Sequence, residues 1–217
     1  MRKIYLIGEI GINHNGDLKL AKEIIDLAKN SGFNAVKFQK RDPDVSVPNY
    51  KKNEIKNSPW GNITYLEYKK KIEFGQKEYD EINKYCKKLK IEWFTSVWDV
   101  PSLKFMMKYK PKFHKVASSM ITNKELLENI AKTKIKTFVS TGMSSMTEID
   151  NAIKIFKKYK CPIIPMHSVS IYPCPLEKLN LKMMSVSFDP FTKLKNVPET
   201  PKQRYEIMTK EMPKDGK

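Results

Sequence analysis

The fold is decided by one stretch, residues 4–39, with the sequence IYLIGEIGINHNGDLKLAKEIIDLAKNSGFNAVKFQ. Its first part, Ile4–Ile12, is apolar on both faces, which predicts a strand buried between two layers. Asp17 then predicts the N-cap of a helix, and Gly32 its end. Between these two residues, apolar side chains recur at helical spacing: Leu18, Ala21, Ile24, Ile25 and Ala28. Asn34–Gln39 predicts a second strand, so the stretch forms a strand–helix–strand unit.

The same alternation continues along the chain to about residue 167. The predicted helices are Lys77–Leu89, Ser102–Tyr109, Asn123–Ala131 and Thr147–Tyr159, and the strands that follow them are Ile91–Ser96, Phe113–Ala117, Ile135–Thr141 and Pro162–His167. Strands joined through helices run parallel, and the helices cover the sheet. Either a doubly wound sheet or a (β/α)8 barrel satisfies this pattern. A complete barrel takes typically about 250 residues, and this chain has 217.

One interval interrupts the alternation, the polar stretch from Lys40 to about Lys70. It contains Pro43, Pro48 and Gly61, and it carries no hairpin signal. A connection of this length in a compact α/β domain is usually functional. We therefore expect a loop that contributes to function.

Composition excludes several classes of protein. With 40% hydrophobic residues, the chain can bury the core of one sizeable domain, and no apolar run approaches the roughly 20 residues of a membrane span. Three scattered cysteines predict neither a disulfide framework nor a zinc site, which favours a cytoplasmic protein. The net charge is +17, but only three of the 41 basic residues are arginines and the lysines are dispersed, which argues against nucleic-acid binding and favours small anionic substrates.

Polar side chains follow each predicted strand, at the edge where parallel α/β folds bind their ligands. Lys37 and Gln39 share one face of the second strand, while Lys115 ends a later one. A lysine that points into such a mouth is costly to desolvate unless an anion compensates it. Two lysines beside hydroxyls and one carboxylate, Glu9, suit a ligand with a phosphate and a carboxylate. His14, in the first strand-to-helix turn, is a candidate ligand contact, whereas His114 is expected to pack in the core.

The strand-end motifs resemble those of the N-acetylneuraminate (sialic acid) synthase family. They are Ile7-Gly8-Glu9-Ile10-Gly11-Ile12-Asn13-His14-Asn15-Gly16, Val36-Lys37-Phe38-Gln39-Lys40, Lys115-Val116-Ala117-Ser118, Ser140-Thr141-Gly142-Met143 and His167-Ser168-Val169-Ser170-Ile171-Tyr172-Pro173. The resemblance covers about residues 4–182, in order and at consistent spacing. It implies a (β/α)8 TIM-barrel fold, here incomplete, with about six βα units.

The resemblance also implies a reaction and its residues. Family members condense phosphoenolpyruvate with N-acetylmannosamine or a related sugar, using a divalent metal such as manganese or magnesium. By this resemblance, Lys37, Ser96, Lys115, Ser118 and Ser140 would bind phosphoenolpyruvate. Gln39, Asn62 and Tyr172 would face the sugar, and Glu9, Lys37 and Lys115 would be catalytic. A homo-oligomer is a further expected partner, whereas nucleic acid and membranes are not.

The end of the chain departs from the family pattern. The family's metal-binding histidines lie in motifs on strands seven and eight, and nothing resembling these motifs follows Met184. The family's antifreeze-like carboxy-terminal domain has no counterpart either. We therefore expect a partial barrel over residues 1–184, a divergent tail over residues 185–217 and no metal ligands in this chain.

Three other functions remain open at this point. The chain could be an inactive remnant that binds an anionic ligand or a partner chain. It could be an aldolase that forms a Schiff base through Lys37 or Lys115. The third alternative, a basic nucleic-acid binder, is disfavoured by the dispersed charge.

Overall fold

The computed structural model of the protein describes residues 5–168, which form a six-stranded parallel sheet and a separate two-stranded hairpin. The strands are β1 (Ile7–Gly11), β2 (Ala35–Lys40), β3 (Ile55–Ser58), β4 (Gly61–Thr64), β5 (Glu92–Val97), β6 (His114–Val116), β7 (Thr137–Ser140) and β8 (Ile163–Met166). The large sheet has the order β1-β2-β5-β6-β7-β8, so each strand pairs with its neighbour along the chain, as in a barrel wall. This confirms the expected partial barrel over the described residues. The predicted boundary at residue 184 lies outside them and stays a prediction, as does everything expected of the tail.

Helices connect the strands of the large sheet. They are α1 (Leu18–Asn30), α2 (Pro43–Ser46), α3 (Tyr65–Ile72), α4 (Gln76–Leu89), α5 (Val100–Met107), α6 (Lys124–Lys132) and α7 (Met146–Lys158). The side chain of Asp17 caps α1 as predicted, accepting hydrogen bonds from the N–H groups of Lys19 and Leu20. Helix α5 begins earlier than its apolar residues suggested, because Asp99 caps it and Pro101 occupies its first turn. No helix among the described residues is long and apolar enough to cross a membrane.

The two faces of the large sheet bury different residues. The face towards the helices carries the main apolar core, in which Phe38 of β2 packs edge-on against Tyr79 of α4 and Trp93 of β5. The opposite face carries a smaller apolar cluster built on Ile7, Ala35, Phe94 and Phe138 in the amino-terminal halves of their strands, which Met166 joins from the carboxyl end of β8. Because side chains alternate along a strand, the residues two positions beyond Ile7, Ala35, Phe94 and Phe138 share this inner face at the carboxyl ends. These are Glu9, Lys37, Ser96 and Ser140.

The stretch from residue 40 to 70 is not the loop that the sequence predicted. It contains α2, a single 3₁₀ turn at Asn49–Lys51, the antiparallel β3–β4 hairpin and α3. Ser58 pairs with Gly61 across the two-residue turn, and the Ser58 hydroxyl donates to the Gly61 carbonyl over 2.8 Å. The hairpin escaped prediction because its strands are short, largely polar and half to fully exposed, so apolar alternation is missing.

Candidate active site

The Lys37 ammonium group links three strands at the carboxyl end of the sheet. Its Nζ lies 2.8 Å from Oε2 of Glu9 on β1 and donates to Oγ of Ser96 on β5 over 2.6 Å. Strand pairing sets this contact, because Glu9 is in register with Lys37. A bulge then follows in β1, since Gly11 is in register with Phe38. The Lys37 side chain is only 6% exposed, whereas that of Glu9 is 50% exposed, so the carboxylate forms the solvent-facing side of the pair.

Lys115 occupies the equivalent position on β6. Its Nζ donates to Oγ of Ser140 on β7 and to the carbonyl of Val116 over 3.0 Å. The Ser140 hydroxyl in turn lies 3.1 Å from that of Ser168, just beyond β8. The structure therefore aligns four of the predicted phosphoenolpyruvate residues along four neighbouring strands of the sheet. They are Lys37 on β2, Ser96 on β5, Lys115 on β6 and Ser140 on β7. Ser168 joins them, although the sequence analysis assigned it no role.

The two buried lysines are accompanied by one carboxylate, so a protonated Lys115 has no negatively charged partner in contact with it among the described residues. Burial, and then the positive charge of Lys37, lower the pKa of Lys115 to about 7 against the opposing effect of Glu9. The carboxylate of Glu9 contacts Lys37, while the hydrogen-bond partners of Lys115 are uncharged. An anion bound beside Lys115 would supply the missing charge and favour its protonated form.

Ser118 lies in the 3₁₀ turn that follows β6. Its hydroxyl accepts a hydrogen bond from the backbone N–H of Gly142 over 3.1 Å. The turn after β6 is thereby joined to the loop after β7, which lies at the same edge of the sheet. The hydroxyl of Ser118 thus lies where the loops after the two strands meet.

The predicted sugar-facing residues have three different outcomes. Gln39, at the end of β2, lies on the same sheet face as Lys37, and its Oε1 accepts a hydrogen bond from Arg41. Asn62 is exposed on β4 of the hairpin, in register with Asn57, and within residues 5–168 no hydrogen bond joins it to the lysines. Tyr172 lies outside the described residues.

Two of the three histidines in the described residues, His14 and His114, are packed in the interior. His14 is 2% exposed and stacks on Phe74, with ring centroids 3.9 Å apart and an interplanar angle of 18°. Burial lowers the pKa of His14 to about 4, although Asp17 opposes the shift, and Nδ1 accepts the backbone N–H of Gly16. His14 is therefore a neutral residue that holds the first turn, not the ligand contact considered above. His114 is buried too, as expected, and burial lowers its pKa to about 4.

The residues present do not fit a metal ion within the described part of the chain. Residues 5–168 contain no group of three or more His, Cys, Asp or Glu side chains that could hold one. Glu9, the carboxylate at the mouth, is already paired with Lys37.

Sequence reasoning missed a buried ionic cluster beside Gln39. Arg41, directly after β2, is paired with Glu73, with its Nε 2.7 Å from Oε1. Lys40 contacts the other carboxylate oxygen of Glu73 over 3.5 Å. One signal was available, since Arg41 is one of only three arginines in a chain whose other basic residues are all lysines.

The chain is similar in sequence to known nonulosonic acid synthases over most of its length. The chain is 32% identical over 200 residues to N,N'-diacetyllegionaminic acid synthase of Campylobacter jejuni, a match that covers 88% of this chain and 59% of that protein. It is 32% identical to N-acetylneuraminate-9-phosphate synthase of Drosophila melanogaster over 84% of this chain and 50% of that one. The chain thus spans about half the length of these curated relatives.

Solved structures give the same result. The N-acetylneuraminic acid synthetase of Leptospira borgpetersenii, determined in complex with citrate, matches with a TM-score of 0.73 and 34% identity, over 83% of this chain and 59% of that one. DAHP synthase of Thermotoga maritima, at 11% identity and a TM-score of 0.56, shares the fold alone. The NeuB family matches residues 24–194, most of the chain. Its sequence and its fold both place the chain in the NeuB family of sialic acid synthases.

Proposed function

We propose that the chain carries the phosphoenolpyruvate half of a nonulosonic acid synthase site. The observation that carries the proposal is the pair of buried lysines, Lys37 and Lys115, aligned with Ser96 and Ser140 at the carboxyl ends of neighbouring strands. Phosphoenolpyruvate has two anionic groups, a phosphate and a carboxylate. Two ammonium groups with adjacent hydroxyls match both its charge and its need for short donors.

In the proposed reaction, phosphoenolpyruvate supplies three carbons to an open-chain sugar. The enol carbon attacks the aldehyde carbon and forms the new C–C bond, and the aldehyde oxygen takes up a proton from solvent. Water then adds to the cationic carbon and gives up one proton. The C–O bond to phosphate breaks as the new hydroxyl group gives up its proton and becomes the keto group, and phosphate departs. Lys37 and Lys115 offset the substrate's negative charge and fix its position, which lowers the barrier through electrostatics and orientation.

The exposure of Glu9 supports a role for its carboxylate in activating water in the proposed reaction. Its carboxylate is half exposed and tethered to Lys37, so it borders both the buried lysines and the solvent. It accepts a proton from the attacking water, a role that contributes typically 10²–10⁴-fold in rate. Gln39 and Asn62, together with Tyr172, would contact the sugar. The relatives are named as synthases of N,N'-diacetyllegionaminic acid, N-acetylneuraminate 9-phosphate and pseudaminic acid. The acceptor that we propose for this chain is N-acetylmannosamine or a related sugar.

One observation favours a second function, a Schiff-base aldolase. Lys115 is buried and its pKa is lowered to about 7, so a fraction of its amines is uncharged near neutral pH. An uncharged amine can attack a keto acid, forming an imine and releasing water. Borohydride reduction with pyruvate would trap this imine as a covalent adduct on Lys115. Absence of the adduct would exclude this function.

Calorimetry with phosphoenolpyruvate tests the main proposal. We expect binding to the unsubstituted protein, strong weakening by Lys37→Ala, and unchanged binding in Lys108→Ala, a control lysine that follows α5. A folded Lys37→Ala variant with unchanged affinity would contradict the proposal. Turnover is then assayed with N-acetylmannosamine and manganese, by phosphate release. In a protein that turns over, Glu9→Gln is expected to retain phosphoenolpyruvate binding and to lose rate by about 10²–10⁴-fold.

A further inference from the structure

Arg41 holds the side chain of Gln39 through a hydrogen bond. Its Nη2 donates to Gln39 Oε1, and its Nε is paired with Glu73 Oε1. The guanidinium carbon also lies 4.8 Å from the centre of the Trp98 ring, within cation–π distance. Both Arg41 and Glu73 have side chains less than 10% exposed. The guanidinium group therefore has three partners: the carboxylate of Glu73, the ring of Trp98 and the side-chain oxygen of Gln39.

The contact with Arg41 determines which way the Gln39 carboxamide points. A guanidinium has only N–H donors, so the carboxamide atom that faces it must be the oxygen. The amide nitrogen then faces the other way, towards Gly11 of the β1 bulge. A Cβ atom placed on Gly11 would lie 3.6 Å from Gln39 Nε2 and 3.2 Å from Glu9 Oε1. The donor groups of Gln39 and the carboxylate of Glu9 therefore border the same small space.

Arg41 is itself fixed from a distant part of the chain. Glu73 lies between α3 and α4, and its Oε2 accepts the backbone N–H of Arg41 over 3.3 Å as well as contacting Lys40. Burial raises the pKa of Glu73, while the charges of Lys40 and Arg41 oppose that rise. The two cations thus favour the ionised carboxylate that holds Arg41.

We propose that Arg41 is a positioning residue that locks the Gln39 carboxamide with its N–H groups turned towards an oxygen atom of the sugar substrate. This inference rests on the proposed function and adds a selectivity rule to it. The site would favour a sugar that presents a carbonyl or hydroxyl oxygen to the N–H groups of Gln39. A sugar whose group at this position can only donate hydrogen bonds would bind more weakly. Arg41 would act through Gln39 and would not touch the substrate.

The first test compares two neighbouring cations that share Glu73. Arg41→Lys and Arg41→Met should weaken binding of N-acetylmannosamine, titrated with phosphoenolpyruvate present, by about tenfold, because the amide loses its fixed orientation. Phosphoenolpyruvate affinity should stay within about twofold. Lys40→Met is the matched control, since Lys40 contacts Glu73 but not Gln39, and it should leave both affinities within about twofold.

The second test inverts the amide without removing Arg41. Gln39→Glu keeps an acceptor for Arg41 and replaces the amide donors by an oxygen, so sugar binding should fall as far as in Arg41→Met. In the double variant Arg41→Met with Gln39→Met, the Arg41 substitution should add nothing to the loss from Gln39→Met alone. Additive losses would overturn the proposal, because Arg41 would then act independently of Gln39.

A spectroscopic readout separates this proposal from the proposed function. The side-chain amide NMR signals of Gln39, identified by their loss in Gln39→Glu, should shift with N-acetylmannosamine or its 6-phosphate and should change in Arg41→Met but not in Lys40→Met. Signals that ignore both sugars, or that are unchanged in Arg41→Met, would overturn the role of Arg41. Failure of the unsubstituted protein to bind phosphoenolpyruvate would instead contradict the proposed function, and the amide signals in Arg41→Met would still decide the positioning role.

Discussion

The inner face of the sheet has two halves, which use the same strands for opposite purposes. At the amino ends, Phe94 and Phe138 stack at 6.0 Å between ring centroids within a closed apolar cluster. Two residues further along the same strands, Ser96 and Ser140 hydrogen-bond to the buried lysines. Two residues along the strand therefore separate side chains that stabilise the fold from side chains that we propose bind phosphoenolpyruvate. Substitutions on the two sides should have different effects.

The largest effect is expected in the apolar half. Phe94→Ala removes a ring that is 1% exposed and packs against two other phenylalanines. The lost burial and the remaining cavity should lower the free energy of unfolding by about 3–5 kcal/mol. Chemical denaturation measures this loss. Ser96→Ala, on the same strand, is the comparison, and a loss there as large as for Phe94→Ala would remove the distinction between the halves.

Lys115→Ala should have the strongest effect on ligand binding. Removing one partner of a charge-assisted contact should weaken phosphoenolpyruvate binding on the order of 100-fold. Stability should not fall in parallel, because the buried ammonium group is costly to desolvate. Calorimetry and denaturation of the same sample check both parts. A stability loss with unchanged affinity would assign Lys115 to the structural half.

The pH dependence of binding should come from the same amine. The pKa of Lys115 is lowered to about 7 in the free protein, with Lys37 and Glu9 as the charged groups that act on it. A bound anion favours the protonated amine, so the pKa rises in the complex. Affinity should be level just below pH 7 and should fall above it, by up to about tenfold per pH unit. Phosphate groups lose their second proton near pH 6, so above about pH 7 the ligand's own charge is nearly constant and the fall in affinity reports on the protein.

Titrations from pH 6.5 to 9 measure this slope. Lys115→Met, which has no titrating group, serves as the control and should bind weakly without the fall above pH 7. An equal fall in both proteins would show that another group causes it.

The smallest effect is expected at Ser140. Ser140→Ala removes one neutral partner of Lys115 and leaves the contact with the Val116 carbonyl. Phosphoenolpyruvate affinity should decrease by about three- to tenfold, the value of one ordinary hydrogen bond. Thr133→Ala is a suitable control, because its hydroxyl donates to a helix carbonyl away from the lysines. A loss in Ser140→Ala no larger than in this control would exclude the hydroxyl from the binding site.

Sequence reasoning reached much of this arrangement because period-two alternation is local. It placed Lys37 and Gln39 on one face of their strand and Lys115 at the end of another, and the strand order then aligned them. It could not find the pair formed by Arg41 and Glu73, because these residues are 32 positions apart and no periodic pattern connects them. The β1 bulge at Gly11 was missed as well, since it is defined only by register with β2.

The segment between β2 and α4 returns to the sheet at a fixed point. A Cβ on Gly16 would collide with the carbonyl oxygen of Lys71, Phe74 stacks on His14, and Glu73 holds Arg41. The hairpin further out makes its ladder of hydrogen bonds within itself. Residues 71–74 are thus an anchor. Residues 49–64 contact α3 through two backbone hydrogen bonds and through Trp60 beside Tyr68, and we expect that a hairpin of another length or sequence can replace them if these contacts are kept. A grafted hairpin should therefore join the chain before residue 71, so that Asn62, the proposed sugar-facing residue of the hairpin, can be exchanged while the sheet keeps its register.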